Sequence, residues 1–335
     1  MIKYIATRLG HTLILVVGIT LITFILSHVV PSDPAAIYAG PRPEAAQIAT
    51  ARQLLGLDKP LYVQYWIFLT GLVTGNWGTS LRTHQPVLAD LGVFFPVTLE
   101  LVIAATILAM AIGIPVGVYA SARPNGTVDA LIRAVTAALI SIPAFWLALL
   151  LQIFLFGQLH LLPLAGEASN KFAQNLPTVT GFPLLDAVLT GNVALFWDEL
   201  SHLILPALAL AAYPIGIVAR MTRANMLDTL SSDFILMARA NGYPGRRIYT
   251  RYALKNAIGA TFTVLGLIFA FSLTGDFFIE LIFYWQGLGV YAVNSIQYVD
   301  TPAILAVVVI VAIAYTLVNL VVDVMRAMID SRVAL

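Results

Sequence analysis

The chain alternates long apolar runs with shorter polar segments, and six of the runs are long enough to cross a membrane. A helix of about 20 residues spans a hydrocarbon core of about 30 Å. In lipid the backbone must satisfy its own hydrogen bonds, so each run is expected to be helical. The six predicted transmembrane helices cover about 10–30, 97–120, 134–157, 203–221, 260–282 and 303–325.

Two of these runs differ from a simple transmembrane helix. The fourth is the weakest, because "AYPIG" interrupts it, and Pro214 is expected to kink it. The first follows a positively charged start, as the apolar part of a signal peptide does. It is too long for a typical signal core, and no clear small-x-small cleavage site follows it. We interpret it as an uncleaved first helix.

The basic residues are unevenly divided between the loops of this arrangement. If the N-terminus is cytoplasmic, 13 of the 18 Lys and Arg lie in the inside segments, which have the shorter total length. Cytoplasmic loops of membrane proteins carry such an excess. The distribution therefore predicts that both termini are cytoplasmic.

The polar segments divide the chain into three parts. We expect an N-terminal tail and first helix over 1–30, an external loop over 31–96 and a core domain over 97–335. The first external loop contains "RPEAAQIATARQLLGL", which predicts an amphipathic helix bounded by prolines. A second external loop over 158–202 is rich in Pro, Gly, Asn and Thr and shows no clear periodicity.

Composition supports the membrane assignment and excludes several kinds of chemistry. The chain is 60% apolar and 10% charged, whereas soluble domains are near 45–50% and about 25%. A net charge of +1 gives no electrostatic reason to expect a nucleic-acid partner. There is no cysteine, no HExxH motif, and no lysine that follows a glycine as in a P-loop. We predict no catalytic residues, no metal site and no cofactor in this chain, and we expect that it is not an enzyme.

A basic segment interrupts the apolar pattern in the predicted cytoplasmic loop 222–258. "SDFILMARANGYPGRRIYTRYALKNA" contains four Arg and one Lys. Ser231 or Ser232 can cap a helix that begins at Asp233, and Gly242 is placed to end it. The pattern predicts a short helix of about two turns, ending at Asn241.

This short helix has two interpretations. A rigid helix between two spans suits docking on a partner protein, and its small residues permit close approach. Alternatively, the arginines only enforce topology and contact lipid headgroups. The candidate docking residues are Asp233, Phe234, Ala238, Arg239, Ala240, Asn241 and Gly242.

Two carboxylates, Asp276 and Glu280, lie four positions apart on one face of the fifth predicted helix. They fit a substrate path lined by negative charge, suited to an amine or a metal cation. The alternative is that both carboxylates lie at the outer mouth of the bundle, where they are solvated or paired within the complex. The candidate substrate path consists of Asp276, Glu280, Phe145 and Trp146.

Motifs along essentially the whole chain resemble the dipeptide/oligopeptide/nickel permease family of ABC importers. "RLGHTLILVVGITLITFILSHVVPSDPA" is similar to the opening of that family, and "FPVTLEL", "SIPAFWLALLL" and "LSHLILPALALA" to its second, third and fourth spans. "ARMTRANMLDTLSSDFILMARANG" resembles the loop that receives the ATPase subunit. The chain departs from the family at Leu236, where a basic residue is frequent, at Asn241, where Lys is frequent, and at Gln286, where Pro is usual.

The resemblance implies an all-α membrane protein with the bundle of a type I ABC importer permease, closest to the dipeptide permease branch. It implies a homologous second permease, two ATP-binding subunits that hold ATP and magnesium, and an external substrate-binding protein. The expected cargo is short peptides, with nickel chelates, glutathione-like compounds and oligosaccharides as alternatives. The expected location is the inner or plasma membrane of a prokaryote.

Two other functional classes were weighed against this one. An ion-coupled secondary transporter acting alone would need inverted repeats and broken helices around polar residues at the midplane. The proline in the fourth run is the one hint of such a break, and the sequence shows no strong internal repeat. An intramembrane enzyme would need a catalytic set, which the sequence does not offer.

Overall fold

The computed structural model describes residues 2–29, 33–40, 42–169, 171–172, 176, 178–275 and 277–329. Within these ranges the regular elements are helices, apart from an isolated antiparallel bridge between Thr79 and Pro86. The helices are α1 (Ile2–Val29), α2 (Pro34–Ala39), α3 (Ala45–Leu54), α4 (Leu61–Thr74), α5 (Val87–Ala122), α6 (Thr127–Ser141), α7 (Ala144–Leu151), α8 (Pro183–Leu189), α9 (Val193–Leu230), α10 (Asp233–Ala240), α11 (Gly245–Arg247), α12 (Leu254–Gly275), α13 (Phe277–Ile282), α14 (Leu288–Gln297) and α15 (Thr301–Ile329). π-helical turns continue α7 over Gln152–Gln158 and join α11 to α12 over Ile248–Ala253.

Among the described residues, four helices are long and apolar enough to cross a membrane, and α6 with α7 makes a fifth if this bent pair is one span. The four are Val87–Ala122, Val193–Leu230, Gly245–Leu273 and Thr301–Val322. They overlap the second, fourth, fifth and sixth predicted runs. The first run contains a shorter apolar helix, Leu13–Leu26. The all-helical class is confirmed in the described part, whereas six spans and cytoplasmic termini stay predictions.

The third predicted span, 134–157, is wrong as a single straight helix. Helices α6 and α7 meet at an angle of 105° across a short break. Ile142 is extended, with φ −77° and ψ 127°, which is the conformation that a following proline favours. Pro143 also lacks the amide hydrogen that would continue α6. The pair is therefore a broken span or a re-entrant segment.

Helix α9 is longer and more central than the fourth predicted run, 203–221. It continues as one helix through Pro206 and Pro214, and the kink expected at Pro214 stays a prediction. It packs against α6, α7 and α12. Burial on several sides supports the helix where each proline removes a hydrogen bond. Its first residues and α8 also lie inside 158–202, where no helix was expected.

The described chain forms two compact units, one from 1–98 with 286–316 and one from 99–285 with 317–335. The division into 1–30, 31–96 and 97–335 stays a prediction. Helix α3 matches the amphipathic helix expected in the first external loop.

The first unit has a buried polar network beside its apolar core. The Tyr291 hydroxyl donates to Asp90 Oδ2 at 3.1 Å. Burial, with the negative charge of Asp90, raises the pKa of the Tyr291 phenol. The hydroxyl therefore stays protonated and remains a hydrogen-bond donor. Ser80 Oγ donates to Asp300 Oδ2 at 2.5 Å in the same unit.

In the second unit, two glycines let α5 approach α9 closely. A Cβ atom on Gly117 would lie 2.6 Å from the carbonyl oxygen of Ala219 and 2.7 Å from Cβ of Thr222. A Cβ atom on Gly113 would lie 2.8 Å from Cγ1 of Val218. The backbone oxygen beside Gly117 cannot move away alone, so this contact depends on glycine.

We expect Gly117→Ala to destabilise the protein by about 1–3 kcal/mol, because the added methyl group overpacks the contact between α5 and α9. Thermal unfolding of the purified protein measures the change. The matched control is Gly92→Ala on the same helix, where a Cβ atom meets no neighbour within 4 Å. Equal melting temperatures for the two variants would contradict the role of Gly117.

Candidate functional site: a docking helix and an acidic cluster

The short helix predicted in the basic segment is confirmed as α10, Asp233–Ala240. Ser232 occupies the N-cap position with extended dihedral angles, φ −75° and ψ 152°. Its hydroxyl makes no side-chain cap, because it donates instead to the carbonyl oxygen of Thr229 at 2.5 Å. The Asp233 carboxylate in the first turn faces the positive end of the helix dipole.

Gly242 ends this helix in the predicted way. Its φ of +75° lies in the left-handed region, which glycine adopts without steric cost. The Gly242 amide donates to the carbonyl oxygen of Arg239 at 3.0 Å, and the Tyr243 amide donates to that of Ala238 at 3.2 Å. These two bonds form the Schellman motif and satisfy the last carbonyl groups of α10.

The inner face of α10 is anchored in an apolar cluster. Ile235 and Ala238 are buried and pack with residues from the end of α9, the π-helical turn and the start of α12. These partners are Met226, Leu230, Ile248, Ala253 and Ala257. A displacement of α10 therefore acts directly on the ends of two long helices.

The outer face of α10 exposes apolar side chains. Phe234, Leu236 and Met237 are 39%, 53% and 63% exposed. We call these three residues the apolar ridge. Of the seven candidate docking residues, the structure exposes six and buries Ala238, which serves the inner face. Ala238 therefore packs inward, and the docking role of the candidate residues stays a prediction.

Basic and aromatic side chains flank the apolar ridge. Arg246, Arg247 and Arg251 are exposed. The Arg247 guanidinium lies 5.1 Å from the centre of the Tyr243 ring, within the range of a cation–π contact. The surface therefore combines an apolar centre with a positive flank, which complements an apolar groove with an acidic rim.

A buried ion pair, which the sequence analysis did not identify, joins α6 to α9. Arg223 donates from Nε to Asp129 Oδ1 at 2.6 Å and from Nη2 to Oδ2 at 2.7 Å. The Asn125 amide donates to the same carboxylate at 3.0 Å, and Asp129 is buried. Such a two-bond contact fixes both distance and orientation. Arg223 precedes α10 by ten residues along the chain.

The structure brings together part of the candidate substrate path. Asp276 lies outside the described residues. Glu280 lies on α13 and is buried, while Phe145 and Trp146 lie in the first turn of α7 and are half-exposed. The rings of Phe145 and Phe278 are 6.0 Å apart, which places Phe145 beside the helix that carries Glu280.

A second group of carboxylates lies in the same unit, and the sequence analysis did not identify it as a group. Glu100 Oε1 accepts a hydrogen bond from the Leu184 amide at 3.1 Å. Glu199 on α9 is 1% exposed. The negative charges that act on Glu199 come from Glu100, Glu167, Asp186 and Asp198. We call these five residues the acidic cluster.

Two members of the acidic cluster organise the loop before α9. Asp198 Oδ2 accepts the Ser169 amide at 2.7 Å. Asp186 accepts the amides of Val179, Thr180 and Gly181 at 3.0, 2.8 and 3.1 Å. Burial alone would raise the pKa of the Asp186 carboxyl, but these bonds and the Thr180 hydroxyl outweigh it and lower the pKa below its usual value. Asp186 is therefore an ionised, fully bonded group.

The chain matches two family profiles that together cover most of its length. Residues 113–335 match the binding-protein-dependent transport system inner membrane component. Residues 1–102 match the N-terminal region of the membrane component of the same kind of transport system.

Curated relatives are similar over nearly their whole length. A probable D,D-dipeptide transport system permease protein of Escherichia coli strain K12 is 47% identical over 97% of this chain and 96% of the relative. A dipeptide transport system permease protein of Alkalihalophilus pseudofirmus is 35% identical over 99% of both chains. A glutathione transport system permease protein of Salmonella paratyphi A is 34% identical over 98% of both chains.

Proposed function

Because this chain belongs to the family of binding-protein-dependent transport system inner membrane components, we propose that it forms half of the translocation path of a short-peptide ABC importer. A homologous second permease supplies the other half. The names of the dipeptide permeases among its relatives support the peptide cargo. The chain itself carries out no covalent chemistry and works by changing between conformations with different access to the cargo.

The docking helix carries this proposal within the structure. The inner face of α10 is anchored on α9 and α12, while its apolar ridge is exposed and flanked by arginines. We assign the ridge to one of two ATP-binding subunits, which hold ATP and magnesium. An external substrate-binding protein delivers the peptide on the opposite side of the membrane.

The contacts of α10 suggest how a movement of the ATPases reaches the bundle. Closure of the ATP-binding subunits displaces α10, and the packing of Ile235 and Ala238 passes this displacement to α9 and α12. The ion pair between Asp129 and Arg223 passes it from α9 to α6. ATP binding then drives import because the ATPases associate differently with the two states of the bundle.

This mechanism requires α10 on the cytoplasmic side, with both termini cytoplasmic and six spans in the inner membrane of a prokaryote. The excess of Lys and Arg in the loops on that side supports the orientation. Cysteines introduced singly at Ser231 and Thr180 test it. A membrane-impermeant thiol reagent added to intact cells should label Thr180→Cys alone, and labelling of Ser231→Cys would reverse the orientation.

Reconstitution of the four-subunit complex in liposomes, with the binding protein supplied on the outer side, tests the transport function. We expect uptake of radiolabelled dialanine that requires ATP, the binding protein and this chain. A complex with an ATPase-inactive subunit is the control for leakage. Absence of ATP-dependent uptake, or uptake by this chain alone, would contradict the proposal.

Glutathione is the second candidate cargo, because the chain also resembles a glutathione permease. The same liposomes distinguish the two by competition. An excess of unlabelled dipeptide should suppress dialanine uptake, and an equal excess of glutathione should leave it unchanged. Stronger suppression by glutathione would reverse the assignment of the cargo.

We expect Gly242→Val to lower the peptide transported per ATP hydrolysed severalfold. A Cβ atom at Gly242 has open space, so the cost comes from the left-handed backbone, at about 1–2 kcal/mol. This strain destabilises the C-terminal end of α10 and weakens its binding to the ATP-binding subunit. Gly242→Asn is the matched control, since asparagine tolerates this conformation. An unchanged transport ratio in Gly242→Val would contradict the role of the glycine.

A further inference from the structure

Glu100 and Glu199 have acceptor oxygens that no other described residue uses. Neither carboxylate oxygen of Glu199 receives a hydrogen bond within the described part of the chain. The same holds for Oε2 of Glu100, whose other oxygen accepts the Leu184 amide. Glu199 is 1% exposed and Glu100 is 9% exposed. Water therefore has little access to these three oxygens.

The surroundings add negative charge to the two carboxylates. The carboxylates of Glu100, Glu167, Asp198 and Asp186 act on Glu199 with negative charge. Between Arg133 and Arg220 the sequence contains one Lys or Arg, Lys171, and two histidines, His160 and His202. The ammonium of Lys171 lies 5.1 Å from the centre of the Phe172 ring, on an exposed side chain. The His202 ring pairs with Asp198, at 3.8 Å between Nδ1 and Oδ2. Within the described residues, neither His202 nor Lys171 is bonded to Glu199.

A buried, ionised carboxylate without a partner is strongly unfavourable, so such a group either takes up a proton or binds a cation. Three unused oxygens match the three N–H donors of a primary ammonium group. A calcium ion takes about six to eight oxygen ligands, more than these three oxygens supply. Within the described ranges, no group of three or more His, Asp or Glu side chains is arranged to hold a metal ion.

We propose that Glu199 and Glu100 bind the N-terminal ammonium group of the peptide as it passes through the importer. This inference rests on the proposed function, because it takes the peptide as the cargo. Both carboxylates are buried in the present structure, so the ammonium enters when the bundle changes state. Glu199 lies in the second turn of α9, about 45 Å along the helix from Leu230 and α10. One helix therefore joins the ammonium site to the surface that receives the ATPase.

Transport by two variants of Glu199 tests the need for charge. In liposomes containing the complete complex, we expect Glu199→Gln to reduce uptake at limiting dialanine about tenfold, and Glu199→Asp to retain at least half of it. The control is Asp228→Asn, an exposed carboxylate on the same helix. A structural role predicts the opposite order, because glutamine keeps the shape and removes an unpaired buried charge. Wild-type uptake by Glu199→Gln would overturn the proposal.

Binding to the purified complex without the binding protein tests the ammonium directly. We expect 10 mM dialanine to raise the melting temperature of the wild-type complex by a few degrees. N-acetyl-dialanine at the same concentration lacks the ammonium and should cause no shift. The shift with dialanine should vanish in Glu199→Gln. Equal shifts by the two peptides, no shift by either, or a retained shift in the variant would each overturn the site.

The two proposals fail in distinguishable ways. If the wild-type complex shows no ATP-dependent uptake of dialanine, the proposed function fails. If it imports dialanine while Glu199→Gln imports at the same rate, the function stands and the ammonium site fails. A melting scan of each variant without peptide shows that the complex is folded, so that lost uptake is not mistaken for lost assembly.

Discussion

Replacing both Leu236 and Met237 with aspartate is expected to weaken association with the ATP-binding subunit at least 100-fold. These side chains are 53% and 63% exposed and form the centre of the apolar ridge. Hot-spot residues near the centre of an interface cost about 2 kcal/mol or more when they are removed. Two new carboxylates would also be desolvated on binding and would face the acidic rim that the neighbouring arginines favour.

Co-purification of the ATP-binding subunit on a tagged permease, followed by a titration of its affinity, measures this effect. Ser231→Asp is the matched control, because it adds negative charge to the same exposed loop without entering the ridge. Insertion of the variant into the membrane and its melting temperature should be unchanged. Normal association of the double variant would show that the ATPase binds elsewhere.

The second large effect concerns the ion pair that joins α6 to α9. Asp129→Ala is expected to destabilise the protein by roughly 3 kcal/mol, because it leaves Arg223 without its two hydrogen-bond acceptors. We place the cost at the lower end of the range for buried pairs, since the Arg223 side chain is 18% exposed and keeps some water. It should also lower the peptide transported per ATP hydrolysed.

A double-mutant cycle separates this pair from its surroundings. The combined change Asp129→Ala with Arg223→Ala should cost less than the sum of the single changes, because neither charge is then left alone. Asp228→Asn on the exposed side of α9 should change stability by less than about 0.5 kcal/mol. Additive single changes would mean that the two side chains are not coupled in the membrane.

Local signals in the sequence were sufficient for α10. The residues that start and stop a helix are read within one or two turns, so the range from Asp233 to the glycine at 242 could be predicted closely. The apolar runs likewise predicted the positions of most long helices, because a transmembrane helix depends on its own composition more than on contacts with other segments.

Contacts between distant segments explain what the sequence did not predict. The proline at 214 argues against an isolated helix, but the packing around α9 stabilises the helix there. Glu199 lay four residues before the predicted start of its span, so it was treated as part of an irregular loop. Asp129 and Arg223 are 94 positions apart, and each alone was indistinguishable from a charge that sets topology. The exposure of Leu236 depends on which face of α10 packs inward.

The prolines of α9 have a mechanical consequence. Pro206 and Pro214 have no amide hydrogen, so the carbonyl oxygens of His202 and Leu210 lose their usual helical donors. A helix that lacks two of its backbone hydrogen bonds bends more easily at those points than elsewhere. Helix α9 is therefore hinged at its two prolines rather than rigid along its length. A displacement at the α10 end of α9 then rotates the segment that carries Glu199. In the proposed importer, a small movement of the ATP-binding subunit can therefore reorient a site far from its own contact surface.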